Sequence, residues 1–333
     1  MMRTTFILSM GAACFMLASC NKTSTSTDTL GNWIKRSDFE GVARTEAVSF
    51  TIGDKGYIST GYDGTIRLKD TWEFDQTTGT WKQKADFPGV ARNSAVAFTA
   101  ASKAYVGTGF DGTNKLADFY EYNATSNVWT KKADFAGSAR YSAVAFALSD
   151  KGYVSTGYDG NHLKDLWQYD PTTNAWLQKA SLGGTKRRDA TSWVINGKAY
   201  ICAGLNNGSY VNDFWEYDAT ADAWTEKRKI SNVSDESYDD DYNILRSNAV
   251  AFTINGKVFL SCGENGSVLS TTWQWNPADD TWALINPLEG SARTGAVSFQ
   301  LGNRGYVTTG SNSSYRFDDI WELIPDVEIN TND

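Results

Sequence analysis

Residues 92–129 are RNSAVAFTAASKAYVGTGFDGTNKLADFYEYNATSNVW, and this stretch determines the fold. We predict four strands here, at residues 95–99, 104–108, 118–122 and 128–132, because each is a short run rich in apolar and aromatic side chains. Glycine, asparagine and aspartate, which favour tight turns, lie between the runs. The stretch therefore predicts one four-stranded unit.

This unit occurs six times in the chain. Corresponding tryptophans are separated by 48, 48, 47, 48 and 58 residues, and they are Trp33, Trp81, Trp129, Trp176, Trp224 and Trp282. A second aromatic series follows in the same register: Trp72, Tyr120, Trp167, Trp215, Trp273 and Trp321. One four-stranded unit cannot bury both of its faces, whereas six units around an axis pack on one another. The repeats therefore predict an all-β propeller.

The repeat resembles that of the kelch β-propellers from residue 32 to about residue 325. Its signature here is Arg92, the run Val96-Ala97-Phe98, Tyr105, Gly107-Thr108-Gly109, Tyr120 and Trp129. The chain departs from the usual pattern at the first glycine of the pair, which is displaced by Thr or Ala. It also has Ala where a His often follows the arginine. The resemblance implies a six-bladed propeller with four-stranded blades.

The chain ends predict how the ring closes. Residues 33–35 have the sequence of a fourth strand, and the repeats stop after a third-strand sequence at residues 320–323. We therefore expect the N-terminal strand to complete the last blade and remove an exposed sheet edge. The predicted segments are a signal peptide (1–19), a lipidated cysteine and tether (20–31), the propeller (32–325) and a tail (326–333).

The first twenty residues predict export. An apolar run from Phe6 to Leu17 follows Arg3 and ends in Leu-Ala-Ser-Cys20, which resembles the cleavage and lipidation motif of bacterial lipoproteins. The alternative is an ordinary signal peptide cut near Ser19. The resemblance implies a membrane anchor through acyl chains on Cys20. Because Asn21 follows in place of the aspartate that retains some lipoproteins at the inner membrane, we expect an outer-membrane location in the cell envelope.

Composition excludes several kinds of function. The formal net charge of −8 argues against nucleic acid as a partner. His162 is the one histidine, so a site that needs two histidines, such as the copper site of the galactose oxidases that share the kelch fold, cannot form. We expect no cofactor and a monomeric propeller. Cys202 and Cys262 stand one residue out of register with each other, which favours two buried thiols over a disulfide.

One arginine stands just before the first strand of every unit, and the kelch resemblance places the six at one mouth of the central channel. They are Arg44, Arg92, Arg140, Arg187, Arg246 and Arg293. In one interpretation they bind carboxylates or phosphates of a ligand. In the other they pair with aspartates before the third strand and join blade to blade. Those aspartates are Asp70, Asp118, Asp165, Asp213 and Asp319. Arg246 has Thr271 instead, so we predict it as the unpaired one.

Three loops between the second and third strands pair an aromatic residue with an aspartate before glycine. They are Tyr62-Asp63, Phe110-Asp111 and Tyr158-Asp159. A ring that stacks and a carboxylate that accepts hydroxyls suit a sugar ligand. The alternative is turn chemistry alone, because Asp-Gly is a favoured turn sequence.

The fifth unit carries an acidic insertion of about ten residues, at 234–242. It could cover the arginine mouth, supply oxygen ligands to Ca²⁺ from Asp235, Asp239 and Asp241, or form a solvated loop. Its spacing does not match an EF-hand loop.

Two further carboxylates, Glu46 and Asp189, lie two residues after a ring arginine, on opposite sides of the predicted channel. Such a pair could move protons on an anionic sugar, as the kelch sialic-acid epimerases of bacteria suggest by resemblance. We therefore predict an envelope-anchored, non-catalytic binding module for a protein or glycan. The alternatives are an anionic-sugar mutarotase or epimerase that uses Glu46 and Asp189, and a structural envelope component.

Overall fold

The computed structural model describes Met1, residues 30–313 and residues 315–330. The predicted signal peptide and Cys20 lie outside this part of the chain. Six four-stranded antiparallel sheets form the six blades of a β-propeller, as the repeats predict. No helix among the described residues is long and apolar enough to cross a membrane.

The strands are numbered in chain order, beginning with β1 (Leu30–Lys35). Blade one contains β2 (Val48–Ile52), β3 (Lys55–Ser59), β4 (Thr71–Asp75) and β5 (Thr80–Lys84). Blade two contains β6 (Val96–Ala100), β7 (Lys103–Gly107), β8 (Phe119–Asn123) and β9 (Val128–Lys131). Blade three contains β10 (Val144–Leu148), β11 (Lys151–Ser155), β12 (Leu166–Asp170) and β13 (Ala175–Lys179).

Blade four contains β14 (Thr191–Ile195), β15 (Lys198–Cys202), β18 (Phe214–Asp218) and β19 (Ala223–Glu226), with a small hairpin of β16 (Leu205–Asn206) and β17 (Ser209–Tyr210) in its loop. Blade five contains β20 (Val250–Ile254), β21 (Lys257–Ser261), β22 (Thr272–Asn276) and β23 (Thr281–Ile285). Blade six contains β24 (Val297–Leu301), β25 (Arg304–Thr308), β28 (Ile320–Glu328) and β1, with a hairpin of β26 (Ser311–Asn312) and β27 (Tyr315–Arg316).

The hydrophobic core lies between adjacent blades. Between blades one and two, Phe50 stacks on Tyr57 with a centroid distance of 5.0 Å and packs against Tyr122 of the next blade. Where two blades close tightly, the second strand carries glycine. A Cβ on Gly152 would lie 2.0 Å from the Phe98 ring, so no other residue fits there. Each blade therefore depends on its neighbours for the burial of its aromatic side chains.

The N-terminal strand closes the ring as predicted. β1 pairs antiparallel with β28, with Trp33 opposite Leu323, and Trp33 is completely buried. The propeller extends slightly past the predicted boundaries, because β1 already begins at Leu30 and β28 continues to Glu328. Cys202 and Cys262 are buried free thiols.

Candidate functional site

The six residues that stand two positions after the arginines encircle one end of the central channel. We call them the mouth ring: Glu46, Ser94, Ser142, Asp189, Asn248 and Gly295. Each donates its backbone N–H to the carbonyl of the preceding blade's member, at 2.8 to 3.3 Å, so that the hydrogen bonds form a closed circle. Every member has a positive φ, between 52° and 62°. The left-handed backbone is therefore a property of the ring and does not depend on the side chain.

The two predicted carboxylates, Glu46 and Asp189, both border this mouth, which encloses a cavity of about 120 Å³. Glu46 accepts hydrogen bonds from the side chains of Asn93 and Ser94. Asp189 lies 3.3 Å from Nε of Arg188, and its own side chain is only 9% exposed. Burial raises the pKa of Asp189 to about 6, although Ser142 and Arg188 oppose the rise. Asp189 can therefore exchange a proton near neutral pH.

Below the mouth ring, the channel is lined by small side chains of the innermost strands. This part has a volume of about 310 Å³ and is bordered by Ala, Ser, Thr and Val residues. Its hydroxyls bind neighbouring strands: Ser49 donates to the Ser298 carbonyl at 2.7 Å, and Ser298 donates to that of Ala251 at 3.0 Å. The channel wall is thus polar but already largely hydrogen-bonded.

The arginines do not line this mouth. All six guanidiniums are completely buried. Arg44 makes a two-pronged ion pair with Asp70, at 2.6 Å for each N–O contact, and also donates to the Thr60 carbonyl. Arg92, Arg140 and Arg293 pair in the same way with the aspartates of their own units, and Arg187 pairs with Asp213 through one carboxylate oxygen. Their burial and these contacts within one blade favour the interpretation in which the arginines are structural over the one in which they bind a ligand.

The pairing also differs from the predicted blade-to-blade arrangement, since each arginine and its aspartate belong to one blade. Burial favours the neutral form of Asp70, but the hydrogen bonds and charge of Arg44 and the indole N–H of Trp72 outweigh it, and the pKa of Asp70 is lowered. Arg246 has no such carboxylate among the described residues and donates instead to Thr271 and to carbonyls. The prediction that Arg246 lacks an acidic partner within its unit agrees with this geometry.

A different set of cations lies around the mouth. Together with the aromatic rings that they contact, we call these cations the rim arc. It runs over blades six, one, two, three and four, and its members are Arg316, Tyr62, Arg67, Phe110, Tyr141, Tyr158 and Arg188. The Arg67 guanidinium carbon lies 5.3 Å from the Tyr62 centroid and 5.0 Å from that of Phe110. Arg188 lies 5.4 Å from Tyr158. These arginines are partly exposed, with 34% of the Arg188 side chain accessible.

Positive charge extends from the rim arc toward blade four. His162 is half-buried and packs edge-on against Tyr158, with a centroid distance of 5.2 Å. Burial and the nearby charges of Arg188 and Lys186 lower the pKa of His162. A hollow of about 590 Å³ next to it is bordered by Lys164 and Lys186. The local potential is therefore positive on a chain whose net charge is −8.

The three loop aspartates take part in turns. Asp63 accepts backbone N–H bonds from Thr65 and Ile66, at 2.7 and 2.8 Å. Asp111 and Asp159 accept the equivalent bonds in their loops. This geometry matches turn chemistry, and it leaves the rings of Tyr62, Phe110 and Tyr158, rather than the carboxylates, to face the rim.

The acidic insertion packs beside the outer strands of blade five and does not cover the mouth. Its Tyr242 is buried, and the hydroxyl accepts the backbone N–H of Trp282. Asp239 accepts three bonds from Val233 and Ser234, so its carboxylate is occupied. Across the described residues no group of three acidic, histidine or cysteine side chains is arranged to hold a metal ion, and this includes Asp235, Asp239 and Asp241.

Sequence reasoning missed the rim arc. Four of its members, Arg67, Tyr141, Arg188 and Arg316, were not singled out. In blade one, Arg67 pairs with the loop aromatic through an antiparallel β-bridge, and in blade six Arg316 pairs with the residue at the equivalent position. Lys115 and His162 occupy the matching positions in blades two and three. The recurrence of a basic residue four or five positions after the loop aromatic is the signal that could have found them.

Comparisons with known proteins agree with this architecture. A family model described as the KLHDC2/KLHL20/DRC7 Kelch-repeats domain matches residues 91–238 and 134–310. The solved structure titled "Structure of YjhT" superposes with a TM-score of 0.72 and 18% identity, and the match covers 86% of this chain and 95% of that one. No curated protein matches the sequence. From the repeats, the closed six-bladed ring and the family match, we conclude that the chain belongs to the kelch-repeat family.

Proposed function

We propose that the chain is a non-catalytic binding module that recognises an acidic group of a glycan or protein at the channel mouth. The observation that carries the proposal is the rim arc, in which partly exposed arginines contact the faces of aromatic rings. Guanidiniums bind carboxylates through paired N–H donors, and stacking on a ring holds their planes in place. The rings themselves offer faces for the apolar side of a sugar.

Two charges of the rim arc, those of Arg67 and Arg188, are available to a ligand. Nε of Arg67 donates to Asn93 Oδ1 at 2.7 Å, and that partner is neutral. Within the described residues Arg67 takes part in no ion pair. Arg188 has an acidic neighbour, Asp189, but the raised pKa of this group leaves part of it uncharged near pH 6. The six arginines before the first strands lack this availability, because all of them are buried and five are paired with aspartates.

The proposal includes an envelope location. The Leu-Ala-Ser-Cys20 sequence supports a lipid anchor, and the ten or so residues between Cys20 and β1 would join that anchor to blade six. Lipidation of Cys20, an outer-membrane location and a monomeric state are parts of this proposal.

A thermal-shift screen followed by calorimetry on the full chain tests the binding proposal. The probes are N-acetylneuraminic acid, galacturonic acid, a peptide with an acidic C-terminus and neutral galactose. We expect an acidic probe alone to raise the melting temperature, and Arg67→Gln or Arg188→Gln to weaken its binding at least tenfold. Arg304→Gln is the matched control, because Arg304 is an exposed arginine at the opposite edge of blade six. Equal binding of galactose, or unchanged affinity in both rim variants, would contradict the proposal.

A second candidate is an anionic-sugar mutarotase or epimerase. The raised pKa of Asp189, in a ring that also contains Glu46, favours it, because a general acid or base works best with a pKa near the working pH. Anomer exchange of N-acetylneuraminic acid, followed by NMR, distinguishes the two. Turnover that disappears in both Asp189→Asn and Glu46→Gln while binding persists would establish the enzyme. Binding without turnover in the unmodified chain supports the binding module, and no ligand at all leaves the structural envelope component.

A further inference from the structure

Blade five lacks one member of a buried three-residue arrangement that other blades contain. In blade one, Asp70 Oδ2 accepts from Nη2 of Arg44 at 2.6 Å and from the indole N–H of Trp72 at 2.7 Å. Blades three and six repeat the arrangement with Asp165 and Asp319. One carboxylate oxygen thus neutralises a guanidinium and accepts from an indole at the same time.

In blade five the aspartate is replaced by Thr271, and the arginine is left with neutral partners. Nη2 of Arg246 donates to Thr271 Oγ1 at 3.0 Å, and Nη1 donates to the carbonyls of Cys262 and Thr271 at 2.9 and 3.1 Å. The side chain is completely buried. Burial lowers the pKa of Arg246 only to about 10, so the group stays charged at neutral pH. A buried charge without a counter-charge is strongly unfavourable.

The indole of the same blade is left without a partner as well. Nε1 of Trp273 is buried and makes no hydrogen bond with any described residue, whereas Trp72, Trp167 and Trp321 donate to the aspartate. Nε1 of Trp215 in blade four also has no hydrogen bond, but that blade retains Asp213 as the counter-charge of its arginine. A buried N–H donor of this kind destabilises the folded chain if nothing accepts from it. The two unmet requirements, a negative charge and an acceptor, fall where the other blades place the aspartate oxygen.

The loop before Arg246 also differs in sequence from that of the other blades. Three residues before each arginine the other blades have glycine, and a Cβ on Gly290 would lie 2.6 Å from the Trp321 indole nitrogen and 2.9 Å from Nη2 of Arg293. Blade five has Asn243 at this position, next to the acidic insertion. Blade five therefore lacks the glycine that approaches the indole or the guanidinium in the other blades.

We propose that Nη2 of Arg246 and Nε1 of Trp273 bind a small monovalent anion, such as chloride, in place of the missing aspartate oxygen. The anion supplies both the charge and the acceptor that Thr271 does not. A water molecule would satisfy the indole but leave the arginine uncompensated. This buried site is separate from the rim arc and does not depend on the proposed ligand of the mouth.

The test compares thermal unfolding in sodium chloride and in sodium gluconate at equal ionic strength, since gluconate is too large for the site. We expect chloride to raise the melting temperature of the unmodified chain by a few degrees through preferential binding to the folded state. Thr271→Asp places the aspartate oxygen there and should abolish the chloride effect. Thr271→Ser, which keeps the site, should retain it. The same chloride effect in Thr271→Asp would overturn the proposal.

A second measurement does not depend on stability. Crystals of the full chain soaked in bromide should show an anomalous peak within hydrogen-bond distance of both Arg246 and Trp273, and Thr271→Asp crystals should show none. A peak that behaves as water, or no peak in the unmodified chain, would refute the site.

Discussion

Two rings of residues pass through all six blades, and they differ in what is repeated. In the arginine ring the side chain is repeated, and in five blades so is its aspartate partner. In the mouth ring the backbone conformation and its hydrogen bond are repeated, while the side chains vary from Glu and Asp to Ser, Asn and Gly. Side chains that are fixed in every blade hold the propeller together. A fixed backbone with variable side chains leaves the mouth free to acquire a ligand specificity.

The largest expected loss of stability comes from breaking an ion pair of the arginine ring, the six buried arginines that precede the first strands. Asp70→Asn removes the charge that neutralises the buried Arg44, and we expect a loss of about 3–5 kcal/mol of unfolding free energy at pH 7. Because the folded pKa of Asp70 is lowered, its contribution is present above the unfolded pKa near 3.9 and is lost as the pH falls through the folded value. Urea unfolding at several pH values measures both. A loss below 1 kcal/mol at pH 7 would show that the pair is not needed for assembly.

An aspartate-to-asparagine substitution in the mouth ring should change the unfolding free energy in the opposite direction. Asp189 has a raised folded pKa of about 6, so its charged form opposes folding, and stability declines as pH rises from about 4 through about 6. Asp189→Asn should therefore stabilise the chain by roughly 2 kcal/mol at pH 8 and by almost nothing at pH 4. Unfolding of Asp70→Asn and Asp189→Asn under identical conditions gives the comparison. A destabilised Asp189→Asn at pH 8 would place Asp189 among the structural groups.

The smallest expected effect concerns the one glycine of the mouth ring. A Cβ on Gly295 would lie 2.3 Å from Thr45 Oγ1, and its φ is 62°. Gly302 has nearly the same φ, 59°, with nothing near its Cβ position. We expect Gly295→Ala to cost about 2 kcal/mol and Gly302→Ala about 1 kcal/mol, because both incur backbone strain but only the first displaces Thr45. Melting temperatures of the two variants suffice, and equal losses would mean that Thr45 rotates away freely.

The fold could be predicted because it depends on features that repeat along the chain. Tryptophans about 48 residues apart mark each blade, and the third-strand sequence at the end of the chain predicts the closure by β1. The predicted strand positions differ from the observed ones by about one residue. The first strand of blade two is Val96–Ala100 rather than 95–99, because the residue before it, Ala95, lies beside the mouth ring. The register depends on that ring, which only the assembled propeller shows.

The site was predicted in part for the same reason. Glu46 and Asp189 were found because they occupy equivalent positions in two repeats. The burial of the arginines was left open, since it depends on aspartates 25 or 26 residues later whose direction the sequence does not give. The rim arc was missed because its contacts cross between blades, as between Arg316 of blade six and Tyr62 of blade one.

The closure of blade six has a mechanical consequence. Leu30 and Glu328 are paired at the same end of the β1–β28 ladder. A pulling force applied on the N-terminal side of Leu30 would therefore separate the two strands one residue pair at a time. Resistance would rise at Trp33, whose side chain is fully enclosed. Once β1 detached, blade six would loosen. Gly295 belongs to this blade, so the circle of backbone hydrogen bonds at the mouth would open at this residue. Under a sufficient pull the β1–β28 ladder would thus act as a release for the channel mouth.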